Sequence, residues 1–141
     1  MIVLDTNVLS EAVKPSPSPN VLRWLSAQQP RSVFTTAITE AEILYGIELL
    51  PAGRRRTALL AAAGAMFLEV FPGRVLPFDE EAARFFPGIV AGRDAVGRPI
   101  SQMDAMIASI ARSRRAAIAT RNTRDFEHCG LRIVNPWVEK S

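Results

Sequence analysis

Cysteine, histidine and tyrosine each occur once in the 141 residues, as Cys129, His128 and Tyr45. A lone cysteine forms no internal disulfide, which fits a reducing cytosol. A single histidine rules out nucleases built on a histidine pair. A Ser-His-Asp triad would have to draw on His128, which precedes Cys129-Gly130 in an expected loop. One tyrosine and no row of alternating aromatics leave no visible stacking platform for single-stranded RNA. Trp24 and Trp137 are expected in a core or an interface instead. No apolar run is long enough to span a bilayer. The most apolar region, Leu59 to Val70, is alanine-rich and interrupted by Gly64 and Glu69. Met1 leads straight into Ile2-Val3-Leu4-Asp5 without a charged segment ahead of an apolar stretch, so no signal peptide is expected and the expected location is the cytoplasm.

Hydrophobic residues make up 48% of the chain and charged residues 22%, an ordinary globular balance that argues against disorder. The length suits one domain over residues 1–141, large enough to bury a core. A net charge of +3 permits an anionic partner without requiring one.

Short apolar runs alternate with helical patterns. Strands are expected at Ile2 to Leu4, Ser32 to Thr35, Arg74 to Leu76, Ala116 to Ala119 and Leu131 to Val134. Helices are expected between them: Val8 to Val13, a segment capped by Asn20, Ile38 to Leu50, Arg54 to Phe71, one capped by Asp79, and Ser101 to Arg114. The pattern predicts a three-layer α/β/α sandwich with a mostly parallel sheet of four or five short strands. In such sheets ligands bind beyond the carboxyl ends of the strands. Asp5 follows the first strand, and Asn122 and Asp125 follow the fourth. Glu42 and Asp104 lie early in their helices. Four acidic side chains from distant segments are thereby expected to converge at one end of the sheet.

Clustered carboxylates repel one another unless a cation joins them. Mg²⁺ prefers oxygen ligands and keeps several waters. A divalent metal can activate water and clamp a phosphodiester. Each acid also has a structural reading. Thr39-x-x-Glu42 and Ser101-x-x-Asp104 both fit the capping box, and Asp5-Thr6-Asn7 fits a turn and cap. Glu40 lies two residues from Glu42 and points elsewhere on a helix, while Glu11, Glu48 and Asp94 read as solvated positions. Arg54-Arg55-Arg56 reads as a solvated helix end, and Arg112, Arg114 and Arg115 read either as a helix end or as RNA contacts. Arg121 and Arg124, beside the expected site, are the better phosphate ligands.

Met1-Ile-Val-Leu-Asp5-Thr-Asn-Val-Leu-Ser10 resembles the opening of PIN-domain proteins. Thr39-Glu-Ala-Glu42-Ile-Leu-Tyr-Gly46, Asp104-Ala-Met-Ile-Ala-Ser-Ile-Ala111 and Ala119-Thr-Arg-Asn-Thr-Arg-Asp-Phe126 resemble their second, third and fourth motifs. Asn135-Pro-Trp137 is similar to the ending of the FitB-like branch of VapC toxins. The resemblance implies a PIN fold and Mg²⁺- or Mn²⁺-dependent cleavage of RNA. It also implies a homodimeric toxin silenced by a small VapB-like antitoxin that often carries the DNA-binding domain. By motif position, Asp5 and Asp104 would be metal ligands, and Glu42 would bind directly or through water. Thr6 or Asn7 and Thr120 would orient them. Some relatives carry Asp where this chain has Asn122; Asp125, one turn later, would supply the fourth carboxylate. Two other readings compete. One is a catalytically silent module acting as co-repressor through the antitoxin. The other is a small-molecule phosphohydrolase, which the missing second aspartate after Asp5 disfavours.

Overall fold

In the computed structural model, which describes residues 1–139, five strands form one all-parallel sheet in the order β3-β2-β1-β4-β5. They are β1 (Ile2–Leu4), β2 (Val33–Thr36), β3 (Val75–Leu76), β4 (Ala117–Ala119) and β5 (Ile133–Val134). The helices are α1 (Thr6–Ala12), α2 (Pro19–Ser26), α3 (Ala37–Glu48), α4 (Arg54–Ala65), α5 (Glu80–Ala95) and α6 (Gln102–Ser113). The expected mostly parallel sheet is thus parallel throughout. The last two residues of the 1–141 span lie outside the described residues.

Strand periodicity builds the layers. Ile2, Leu4, Ala117 and Ala119 face one side and pack with Val8, Leu9, Val21, Trp24, Phe67 and Phe71. Val3 and Ile118 face the other side, where Ala82, Ile89, Ile107 and Ile110 cover them. Residues buried on both faces explain why these strands read as continuous apolar runs. Trp24 is a core residue, as expected.

Several local expectations change. Ser18, not Asn20, caps α2; its hydroxyl accepts the Val21 N–H, and Pro19 occupies the first turn, where its missing N–H costs nothing. The α1 helix begins at Thr6, so Asp5 is its cap. The long helix expected through Phe71 ends at Ala65 and continues as a wider π-helical turn, Met66–Val70. Glu11 is buried rather than solvated: its carboxylate accepts the Ser18 N–H at 2.9 Å and pairs with Lys14 at 3.0 Å. It pins the proline-rich loop to α1. Pro87 sits inside α5 without ending it. Arg56 pairs with Glu48, so the first arginine cluster is only partly a free helix end. Among the described residues, no helix is long and apolar enough to cross a membrane.

Candidate active site

The strand order reverses at β1. The chain fills β2 and β3 on one side, then crosses to β4 and β5 on the other. Ligand crevices open beyond the carboxyl ends of strands at such a switch. Asp5 follows β1 there, and Thr120 follows β4. The Asp5 N–H extends the β1–β4 ladder by donating to the Ala119 carbonyl at 2.9 Å.

Asp5 is held from several directions. Its Oδ1 accepts the Thr6 N–H at 2.8 Å. Its Oδ2 accepts the Thr120 hydroxyl at 2.8 Å and the Asn7 amide at 3.3 Å. Asn7 also donates to Thr120 at 3.3 Å and accepts the Arg121 N–H at 3.2 Å. Thr120 is fully buried and Asp5 is 5% exposed. Burial pushes the Asp5 carboxyl above its ordinary range, against the Thr120 and Thr6 hydrogen bonds, and the charges of Glu42 and Asp125 push it further.

Glu42 enters from α3. Thr36 caps that helix by accepting the Thr39 N–H at 3.0 Å, so the alternative Thr39-x-x-Glu42 capping box is absent and Glu42 stands in the second turn. Freed from capping, Glu42 accepts the Thr6 hydroxyl at 2.9 Å. The Thr39 hydroxyl lies 3.3 Å from Thr6 and 3.2 Å from Thr36. Glu40 instead borders a separate hollow with Leu44, Phe67 and Phe71. Ser101 does cap α6, accepting the Asp104 N–H at 3.2 Å, and this places Asp104 in the first turn. Burial raises the Asp104 carboxyl and the nearby Asp5 charge adds to the shift.

Asp125 lies in a short 3₁₀ turn, Thr123–Phe126, whose N–H to Asn122 carbonyl bond is 3.0 Å. It is exposed, yet its charge acts on both Asp5 and Asp104. Asn122 is also exposed and donates its N–H to Thr120 at 3.1 Å. Of the two arginines, Arg121 lies over the Trp137 ring at 5.2 Å, while the charge of Arg124 acts on Glu127.

Sequence reasoning missed Arg93. It is 4% exposed and donates to the carbonyls of Arg98, Asp125 and Glu127 at 2.6, 2.6 and 3.0 Å. It thereby fixes the turn that carries Asp125, and its charge is felt by Asp104. No local pattern distinguishes it from a solvated α5 arginine. Thr36 and Thr39 were also missed as site supports; the Thr35-Thr36 pair at a strand end was the available signal.

The donor set is all oxygen and suits a hard divalent cation. Among the described residues, no three His, Cys, Asp or Glu side chains form a ready-made cage. An open site of one or two carboxylates matches the way Mg²⁺ retains water. An apolar groove of about 540 Å³ runs between α1, α2 and α4, lined by Leu9, Val13, Leu25, Ala62, Met66 and Phe71.

The family model of the PIN domain matches residues 2–130. The chain is 42% identical to the VapC ribonuclease Y4jK of Sinorhizobium fredii, covering 97% of this chain and 98% of that one. It is 36% identical to Toxin FitB of Neisseria gonorrhoeae, covering 97% and 99%. The solved structure of FitAB bound to an IR36 DNA fragment superposes with a TM-score of 0.93 at 35% identity, over 100% of this chain and 99% of that chain.

Proposed function

The chain belongs to the PIN-domain family, in its VapC branch, and on that premise we propose that it is a metal-dependent endoribonuclease and the toxin of a toxin–antitoxin pair. The observation that carries the reading is the state of Asp5. It is a buried carboxylate at the sheet's switch point, raised by burial and by neighbouring acids, and no basic side chain pairs with it among the described residues. Such a group is costly unless a cation completes it.

Asp5 and Asp104 are the proposed metal ligands, with Glu42 binding directly or through water. Bound Mg²⁺ or Mn²⁺ would polarise the phosphodiester and lower the pKa of water. The chain's own groups do the positioning. The Thr6 N–H occupies one lone pair of Asp5 Oδ1 and leaves the other for a cation. The Thr6 hydroxyl holds Glu42 Oε1, leaving Oε2 free to accept a proton or hold a water. Thr120 and Asn7 fix the Asp5 rotamer. Asp125 is the proposed fourth carboxylate, and Asn122 contributes hydrogen bonds but cannot act as a base. Arg121 and Arg124 are the proposed phosphate contacts, Arg121 held in place by Trp137.

The apolar groove between α1, α2 and α4 is the proposed seat of a small VapB-like antitoxin, with DNA reached only through that partner. FitAB, the structural relative, is a complex bound to DNA. A homodimer is part of the same proposal. Purified protein free of antitoxin is expected to cleave RNA with Mg²⁺ and to stop with a chelator. Asp5→Asn and Asp104→Asn are each expected to lower the rate by about a hundredfold or more, above the range typical of residues that only orient a ligand. Full activity in both variants sinks the assignment.

Asn122 favours one alternative, a silent co-repressor. Calorimetry separates the two, because a silent module takes up no Mg²⁺ or Mn²⁺ at millimolar concentration.

A further inference from the structure

At the opposite end of the sheet, where β1, β4 and β5 begin, a cavity of about 430 Å³ is lined by Arg112, Arg115 and Arg132 together with Met1, Ala117 and Gly130. No acidic residue lines it. Among the described residues none of the three arginines stands within ion-pair distance of a carboxylate. Their neighbour Arg114 instead pairs with Asp79 at 3.6 Å. Three guanidinium groups around one hollow repel one another in the absence of an anion.

Two features of the backbone indicate that the arrangement is built. Arg115 follows the end of α6 with φ +55°. That left-handed position is the usual place for glycine, and any Cβ is disfavoured there. The chain places an arginine in it, and local backbone strain of this kind is a pointer to function. Gly130 has φ +77°, and a Cβ at that residue would fall 2.7 Å from the Arg112 Cζ. The Arg112 guanidinium there is held by the Cys129 carbonyl at 3.0 Å and by the Phe85 ring at 5.4 Å. The dipole of α6 favours cations at its end and accounts for Arg112 and Arg115 in part. It does not account for Arg132, which comes from the start of β5.

We propose that this cavity is a phosphate-binding site, separate from the carboxylates at the other end of the sheet. Its occupant is either a backbone phosphate of an RNA strand wrapped past the cleavage site or a small free phosphate. Only the RNA source rests on the ribonuclease reading.

The test uses the full chain in chelator, so that cleavage plays no part. The wild type is compared with an Arg115→Gly/Arg132→Gln double variant, and with Arg132→Gln alone as a second variant should the double one unfold. Arg115→Gly relieves the left-handed strain, so the melting temperature of the double variant should be no lower than that of the wild type. Inorganic phosphate is expected to shift the backbone amides of residues 112–117 and 130–133 in the wild type and not in the variant. With a single-stranded RNA 20-mer, loss of one phosphate contact lowers the slope of log affinity against log salt by about 0.7. A lowered slope identifies RNA as the source. An unchanged slope with phosphate-dependent shifts identifies a free anion. No phosphate shifts together with an unchanged RNA slope overturns the proposal. A failure of the nuclease reading appears elsewhere, as absence of cleavage with Mg²⁺, and leaves the phosphate result interpretable.

Discussion

Thr120 illustrates how much a buried hydroxyl decides at the residue scale. It has no exposure, and its single proton goes to Asp5 Oδ2 while its oxygen accepts from Asn7 and Asn122. Thr120→Val keeps the volume and removes all three bonds. The expected result is a loss of about 10–100-fold in metal affinity or cleavage, the range for residues that orient a ligand, with the circular dichroism spectrum unchanged. Metal titration by calorimetry checks it. Asp104 gives a second prediction. Its carboxyl is raised in the folded chain, so the native state binds the proton more tightly than the unfolded chain does. Stability therefore falls as pH rises from the unfolded carboxylate pKa, about 3.9, through the folded value. In chelator at pH 7, Asp104→Asn should melt above the wild type, and the gap should close below about pH 4. Scanning calorimetry across that range measures it, and a variant that melts lower at pH 7 contradicts it. The approach of Asp5, Glu42 and Asp104 from distant segments was legible in the sequence, because Asp5 follows a strand and the other two lie early in helices. The choice between capping and site for Glu42 was not legible. It turned on whether Thr36 or Thr39 caps α3, and both threonines fit the pattern.

Among elements, the short turn Thr123–Phe126 is anchored by the buried Phe126 and is also tied to α5. Arg93 is the tie, donating to the Asp125 and Glu127 carbonyls from a buried position. Arg93→Met should cost about 3 kcal/mol or more, from three carbonyls that lose this donor at about 1–3 kcal/mol each. It should also release Asp125. Urea denaturation measures the first effect, and hydrogen exchange at residues 123–127 measures the second. Exchange unchanged in that turn would mean that Asp125 is positioned by something else. The sequence could not expose this tie, since Arg93 and Asp125 are 32 residues apart and each looks like a surface charge alone. Glu11 escaped for the same reason, because its partner Ser18 lies across a proline-rich loop whose path is set by tertiary packing. Strand positions fared better. Three-residue apolar runs such as Ile2-Val3-Leu4 are buried on both faces, and only a covered parallel sheet asks for that.

For the whole molecule, folding and the proposed metal binding would be linked in one equilibrium. The carboxylates meet only when β1, β4, α3 and α6 are assembled, so a cation that binds them stabilises the native state. At a free metal concentration about a hundred times Kd the gain is about 2.7 kcal/mol. Mn²⁺ should therefore raise the melting temperature of the wild type, reversibly with chelator, and raise that of Asp104→Asn far less. An equal rise in both proteins would place the metal elsewhere. A mostly parallel sheet of four or five strands and its layers followed from the alternation of apolar runs with helical patterns. The strand order did not, and the strand order is what sets Asp5 and Thr120 side by side at the switch point.

The central claim is that these acidic side chains hold a divalent cation. A crystal of the full chain soaked in millimolar Mn²⁺ and measured for anomalous scattering tests it most directly. The account predicts a peak between the carboxylates of Asp5 and Asp104, with Glu42 or an ordered water beside it. An empty map at that position, or a peak only elsewhere on the molecule, contradicts it.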